Sequence, residues 1–228
     1  MSMLLTTRKA TGADIPFLVQ IEYEASLPPL DHCFWEDLLE GTGTTALEFI
    51  EAELRAEASN WGNVSDFIVL EEQGRPVAAA AGYVPNPEDY CPLQLSRLEA
   101  IAQELDWSNA TTSDFRDRYL GLFGGDMKPF FLTPQAPWII ENVAVLPEAR
   151  GRGLGKVLLK AMLEAGRSQG HSHAGIMVIN GNDRARYTYE SVGFKPYQTF
   201  YADYFSEQFN LEFPGVTKFG VTLTHSRE

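Results

Sequence analysis

The stretch WIIENVAVLPEARGRGLGKVLLKAMLEAGRSQG, residues 138–170, decides the fold. Residues 138–145 are apolar apart from Glu141 and Asn142, which predicts a buried strand. Residues 146–155 are rich in Pro, Arg and Gly. Val157, Leu158, Ala161, Met162 and Ala165 then recur at helical spacing, and Gly170 suits the helix C-cap. Residues 173–179 predict a second buried strand, and 182–192 a helix closed by Gly193. Strand, glycine turn, helix, strand, helix is the order of a crossover unit.

Working outward, residues 4–9 predict an edge strand, and Thr11 or Asp14 caps a helix carrying Ile15, Phe17, Leu18 and Ile21. Residues 31–65 read as helical and acidic, with Phe34, Trp35, Leu38 and Leu39 on one face. Residues 67–71, Gln73-Gly74-Arg75 and 76–84 read as strand, turn and strand. The long interruption 86–137 holds one helix through Leu95, Leu98, Ile101, Ala102 and Leu105, and another from 113 to 122 closed by Gly124-Gly125. Pro129, Pro134 and Pro137 limit regular structure after it, and its leucines and aromatics predict an inserted subdomain packed on the main sheet. Residues 194–201 and 217–224 read as closing strands.

The turn Arg150-Gly151-Arg152-Gly153-Leu154-Gly155-Lys156 joins a strand to a helix. Glycines allow positive φ and close backbone approach. Free N–H groups at the helix start, aided by the macrodipole and by Arg150, Arg152 and Lys156, make an anion site suited to a phosphate or pyrophosphate. A Walker A loop fails on spacing, and Val157 stands where its hydroxyl would be. The G-x-G-x-x-G pattern fails because Gly151, Gly153 and Gly155 run G-x-G-x-G.

Arg150-x-x-Gly153-x-Gly155 resembles the acyl-CoA pyrophosphate loop of the GNAT superfamily of N-acetyltransferases. The second block, Asn182-x-x-Ala185-x-x-x-Tyr189-x-x-x-Gly193-Phe194, is similar to that family's Asn, Ala, Tyr, Gly-Phe signature. The resemblance is strong over 138–195 and weaker over the opening strand and helix and the 67–84 hairpin. The 86–137 insertion departs from the family pattern. What the resemblance implies is a mixed α/β (α+β) fold: a central, mostly antiparallel mixed sheet flanked by helices, with a helical insertion between the third and fourth strands. Residues 1–228 form a single domain on this reading, with 138–195 as its acyl-CoA core.

The resemblance also implies roles. Backbone groups of the Val143, Ala144 and Val145 strand bond the pantetheine arm as an added strand would. Arg150, Gly151, Arg152, Gly153, Leu154, Gly155 and Lys156 cradle the pyrophosphate. Asn182 contacts pantetheine or caps the last helix. Tyr189 matches the general acid that protonates the leaving thiolate, and is also a good helix-face core residue; Tyr187 faces elsewhere. Glu141, an acid inside an apolar strand, is the candidate base for the amine, its pKa raised by burial; otherwise it pairs with an Arg or points to solvent. Strand alternation places Glu141, Val143 and Val145 on one face.

The activity implied is acetyl transfer from acetyl-CoA, as cosubstrate, to a primary amine by direct attack in a ternary complex. A small-molecule acceptor is favoured by the aromatic insertion. A protein lysine or N-terminus is the alternative, and a non-catalytic CoA-sensing module a third. No metal is expected, since His171 and His173 lack further ligands, and Cys33 and Cys91 lie outside both motifs as reduced thiols.

The chain has 228 residues, 44% apolar and 21% charged, which excludes a disordered or fibrous protein. Its net charge of -13 argues against nucleic acid and anionic lipid as partners. The start MSMLLTTRKA does not read as a signal peptide, and no run approaches the roughly 18 apolar residues of a membrane span. A cytoplasmic monomer or homodimer is the expectation. The charge is uneven. Residues 138–195 hold five acids (Glu141, Glu148, Glu164, Asp183, Glu190) against eight bases (Arg150, Arg152, Lys156, Lys160, Arg167, Arg184, Arg186, Lys195), a balance of +3. Residues 31–66 hold nine acids (Asp31, Glu36, Asp37, Glu40, Glu48, Glu51, Glu53, Glu57, Asp66) and the single base Arg55, a balance of -8. An anionic cosubstrate and a cationic acceptor fit that division.

Overall fold

The computed structural model describes residues 4–124 and 130–223. Gly125, Pro129 and Thr224, used in the reading above, lie outside them.

Seven strands form one sheet: β1 (Leu5–Lys9), β2 (Phe67–Glu72), β3 (Arg75–Tyr83), β4 (Trp138–Val145), β5 (His173–Ile179), β6 (Lys195–Tyr201) and β7 (Gly215–Thr222). Their order across the sheet is β1-β2-β3-β4-β5-β7-β6, and only β4 and β5 pair in parallel. The mixed, mostly antiparallel sheet is therefore present, with β1 at an edge as its short polar sequence suggests. The β2–β3 hairpin turns at Gln73 (φ 52°) and Gly74 (φ 78°), two successive left-handed positions that match strand twist.

Helices cover both faces. On one lie α1 (Ile15–Ser26), α2 (Phe34–Leu38) and α3 (Ala46–Arg55). There Leu18, Ile21, Phe49 and Leu54 bury against Val69, Ala79, Ala81, Ile139 and Ala144. On the other, α6 (Leu154–Ser168) packs Leu158, Leu159, Met162 and Leu163 on Leu70, Ala78, Ala80, Trp138 and Ile140, beside α7 (Asp183–Glu190). The Ala78–Ala81 run serves both faces because alternate residues point to opposite sides. Gly82 continues it; a Cβ there would lie 2.5 Å from Met162 Cε and 2.5 Å from Trp138 Cζ2, so its absence sets how closely α6 approaches.

Two readings are corrected, and one helix is added. Residues 31–65 are not continuously helical, because Gly41 and Gly43, both at positive φ, separate α2 from α3. The insertion holds α4 (Leu98–Glu104) and α5 (Asn109–Phe123), but its aromatics settle mainly on the helical layer rather than on the sheet. Phe115 lies 5.1 Å and Trp107 6.1 Å from the Phe49 ring. Finally, α8 (Ala202–Phe209) follows β6 directly, burying Phe205 with Phe200 and Val216 in a separate small cluster.

Candidate active site

The site is set by how β4 departs from both neighbours. Its parallel pairing with β5 spans only Trp138↔Ala174, Ile139↔Gly175 and Ile140↔Ile176. Beyond Ile140 the two strands part, leaving the β5-facing edge of residues 141–145 without a sheet neighbour. On its other side β4 is bulged against β3: Ala79 opposes Ala144 and Ala81 opposes Glu141, so one extra residue is accommodated. Asn142 supplies it, at φ 53°, a conformation Asn tolerates better than most residues.

The bulge overturns the expected alternation. Val143 and Val145 pack into the α6 face, whereas Glu141 opposes Ala81, which belongs to the α1–α3 face. Glu141 and Val143 thus point to opposite sides of the sheet, because the extra residue shifts the two-residue period by one.

Glu141 keeps partial exposure as a residue, but its Oε1 is covered. Burial pushes its pKa up to about 8, and the nearby Tyr90 hydroxyl partly offsets that rise. The Tyr83 and Tyr90 hydroxyls lie within electrostatic reach of the carboxyl. All three buried oxygens are without a well-formed hydrogen bond among the described residues. Tyr90 comes from the insertion and is fixed by Trp61, whose indole N–H donates to its carbonyl at 3.3 Å. Tyr83 and Tyr90 were not anticipated, since nothing local in the sequence links either to Glu141. No Arg pairs with Glu141 among the described salt bridges.

Tyr189 lies on the α6 side, 7% exposed and T-shaped against Phe219 at 6.1 Å. Burial, and then the Glu141 charge, raise its pKa, so the phenol stays protonated through the neutral range. The split between β4 and β5 lets the two groups sense each other from opposite faces. Tyr187 is 75% exposed and points elsewhere.

The glycine turn stands at the same end. Gly151 (φ 78°) and Gly153 (φ 75°) are both left-handed, and Gly153 is the N-cap of α6. Lys156 N–H, in the first turn of α6, donates to the Gly153 carbonyl at 3.1 Å, whereas Leu154 and Gly155, the first two helical residues, have no carbonyl one turn back within the helix to bond. Gly155 lies close under β4 and α7: a Cβ there would be 3.8 Å from Val145 and 3.5 Å from Thr188. Leu154 is buried, whereas Lys156 is exposed on the first turn. The two arginines are engaged within the fold. Arg150 Nε donates to the Val145 carbonyl at 2.9 Å, and its guanidinium pairs with Glu24 of α1 at 2.5 Å. Arg152 pairs with Glu72 of β2. Both therefore brace the turn.

Asn182 is the N-cap of α7, its Oδ1 accepting from Ala185 N–H at 3.1 Å, which leaves its amide N–H groups for other contacts. A groove of about 280 Å³ runs beside it, lined by Asn180, Asp183, Arg186 and Tyr201 among others. Asn180 is internal bracing: its amide donates to the Phe200 and Pro214 carbonyls and accepts from Thr217. Lys218 is another residue the sequence did not single out. It is buried, donates to the Thr133 carbonyl at 2.8 Å, and has its pKa lowered to about 8 by burial. Cys33 and Cys91 are both reduced, and the Cys91 thiol donates to the Phe123 carbonyl at 3.6 Å. Among the described residues, no group of three His, Cys, Asp or Glu is arranged to hold a metal, and no helix is long and apolar enough to cross a membrane.

Comparison with known proteins places this geometry. The model of the acetyltransferase (GNAT) family matches residues 30–194. Streptothricin acetyltransferase of Streptomyces lavendulae is 32% identical over 74 residues, 31% of this chain and 39% of that protein, so the match spans well under half of that relative. An N-acetyltransferase from Staphylococcus aureus Mu50 superposes with a TM-score of 0.60 at 18% identity, covering 95% of this chain and 100% of that one. The yncA structure from Salmonella typhimurium, which holds acetyl-CoA, gives 0.51 at 16% identity over 98% and 96% of the two chains. At these identities the structural likeness is one of fold.

Proposed function

The chain belongs to the GNAT acetyltransferase family and is an acyltransferase, and on that footing we propose that it moves the acetyl group of acetyl-CoA to a primary amine of a small molecule, as a single domain. The observation that carries this is the buried Glu141 carboxyl beside the β4–β5 split, with the Tyr90 hydroxyl of the insertion near it. A buried acid suits a compact amine better than a peptide laid in an open groove. The match to an enzyme named for streptothricin supports the same reading.

In this reading the pantetheine arm bonds the free edge of Val143, Ala144 and Val145 as a strand would. The pyrophosphate sits on the N–H groups from Gly151 to Gly155, with the exposed Lys156 side chain beside them. Asn182 offers its remaining amide N–H to the arm. Acetyl-CoA supplies the thioester carbonyl. Glu141, as carboxylate, takes a proton from the ammonium of the acceptor, directly or through water. The freed amine attacks the carbonyl, and the nitrogen passes its second proton to solvent water. As the C–S bond breaks, Tyr189 donates its phenolic proton to the departing sulfur and is later reprotonated from solvent. A base near pH 8 and an acid held protonated are matched to these two tasks.

The test is release of free thiol from acetyl-CoA with a panel of polyamines, aminoglycosides, amino acids and a lysine peptide. Turnover with a small amine and none with the peptide is expected. Turnover confined to the peptide would move the acceptor to proteins. No thermal shift with CoA would overturn the reading entirely.

A further inference from the structure

A second acidic centre lies on the α1–α3 side, outside the machinery just described. Glu22 of α1 and Glu53 of α3 are 7% and 2% exposed and face each other across a cavity of about 30 Å³. Glu22 Oε1 is buried with no hydrogen-bond partner among the described residues. The lining includes Phe34, Trp35 and Trp61 but no Lys or Arg. Two buried carboxyls without a cation are a costly way to fill a core, and an apolar pair of similar size would serve stability better. Each stands above the usual carboxylate range, because burial and, for Glu22, the neighbouring Glu53 charge disfavour ionisation. The arrangement becomes favourable when a cation enters, since both carboxylates and the aromatic faces attract it.

The cavity neighbours the proposed acetyl-transfer site through two of its wall residues. Asn142 lies in its wall and follows Glu141 directly in the bulge. Trp61, also in the wall, accepts the Asn142 amide on its carbonyl at 3.5 Å, and its ring lies tilted against that of Tyr90 at 6.2 Å. A volume near that of one water-sized group admits an ammonium head and excludes a ring.

We infer that the Glu22–Glu53 cavity holds a second ammonium group of the acceptor, so that the substrate class is a diamine or polyamine acetylated at the end nearer Glu141. This rests on the proposed amine acetyltransferase reading and sharpens it. A monoamine of the same length leaves the two carboxyls without their partner and binds more weakly.

The experiment compares straight-chain diamines of three to six carbons with monoamines of equal length, by thiol release, in the wild type, Glu22→Gln and Glu53→Gln. In the wild type a diamine is expected to exceed its monoamine at least 10-fold in kcat/KM. Either variant should raise the diamine KM about 10-fold while changing the monoamine and acetyl-CoA KM values less than twofold. Circular dichroism checks folding, and either variant suffices if the other is unfolded. The second readout needs no turnover: 1,4-diaminobutane should raise the wild-type melting temperature, and not that of Glu22→Gln. Equal use of monoamines and diamines, or a diamine preference that survives both substitutions, overturns the inference and leaves amine acetylation standing. Absence of thiol release with every amine, with the diamine shift intact, overturns the acetyl-transfer reading and leaves the cation site standing.

Discussion

Replacing Glu141 by Gln should make the protein more stable and less active, and the stability gain should grow with pH. The carboxyl pKa stands at about 8 in the folded chain against 4.5 in the unfolded one. Below about pH 4.5 both states hold the proton and nothing is lost. Between 4.5 and 8 the folded chain keeps a proton the unfolded chain gives up, so stability falls as pH rises; above 8 the loss is complete. At about 1.4 kcal/mol per pH unit, this amounts to about 2 kcal/mol at pH 6, about 3 at pH 7 and about 5 at pH 9. Gln keeps the shape and does not titrate. Urea unfolding of both proteins from pH 6 to 9 should therefore show the difference between them widening by about 3 kcal/mol in favour of Gln. In the same variant kcat should drop by about 100-fold or more, the usual worth of a positioned base. A stability difference that stays constant from pH 6 to 9 would refute the claim that this carboxyl ionises in a buried setting. Unchanged kcat would remove Glu141 from the chemistry.

Tyr189→Phe keeps the ring packed on Phe219 and removes only the hydroxyl, so kcat should fall about 100- to 10,000-fold with the acetyl-CoA KM unchanged; undiminished turnover excludes it as the acid. Gly153→Ala forces a left-handed residue at the α6 N-cap, where φ is 75°, costing about 1–2 kcal/mol by thermal or urea unfolding and raising the acetyl-CoA KM while sparing that of the amine. Gly82→Ala drives a methyl into Trp138 and Met162 and should lower stability by about 1–3 kcal/mol, read as a drop in urea midpoint.

The run from β4 to α7 was legible because its signals are local. Apolar strands, a glycine turn, helical spacing and a cap residue each act over a few positions, and the glycines at 151, 153 and 193 all take the positive φ their places require. The bulge was not legible. A single left-handed Asn inside a strand has no neighbour that announces it, yet it reverses which face Glu141 shares. The companions of Glu141 were hidden for another reason: Tyr83 and Tyr90 reach it through a strand pairing and an inserted segment. Glu22 and Glu53 lie on separate helices, and each alone reads as one more acid on an amphipathic face. In α8, Tyr204, Phe205 and Phe209 pack in a cluster of their own away from the main core, so the helix did not stand out beside the two motifs.

The three-pair contact between β4 and β5 makes the sheet two plates joined at one corner. One plate carries β1 to β4, the other β5, β7 and β6. On the proposed binding mode, a ligand bonded along the open part of that join would act as a missing strand across the partial seam, and binding would close the sheet in the same event. Saturation at 100 times the dissociation constant would add about 2.7 kcal/mol to the folded state. The cell's supply of cosubstrate would thereby set how firmly the two plates hold together.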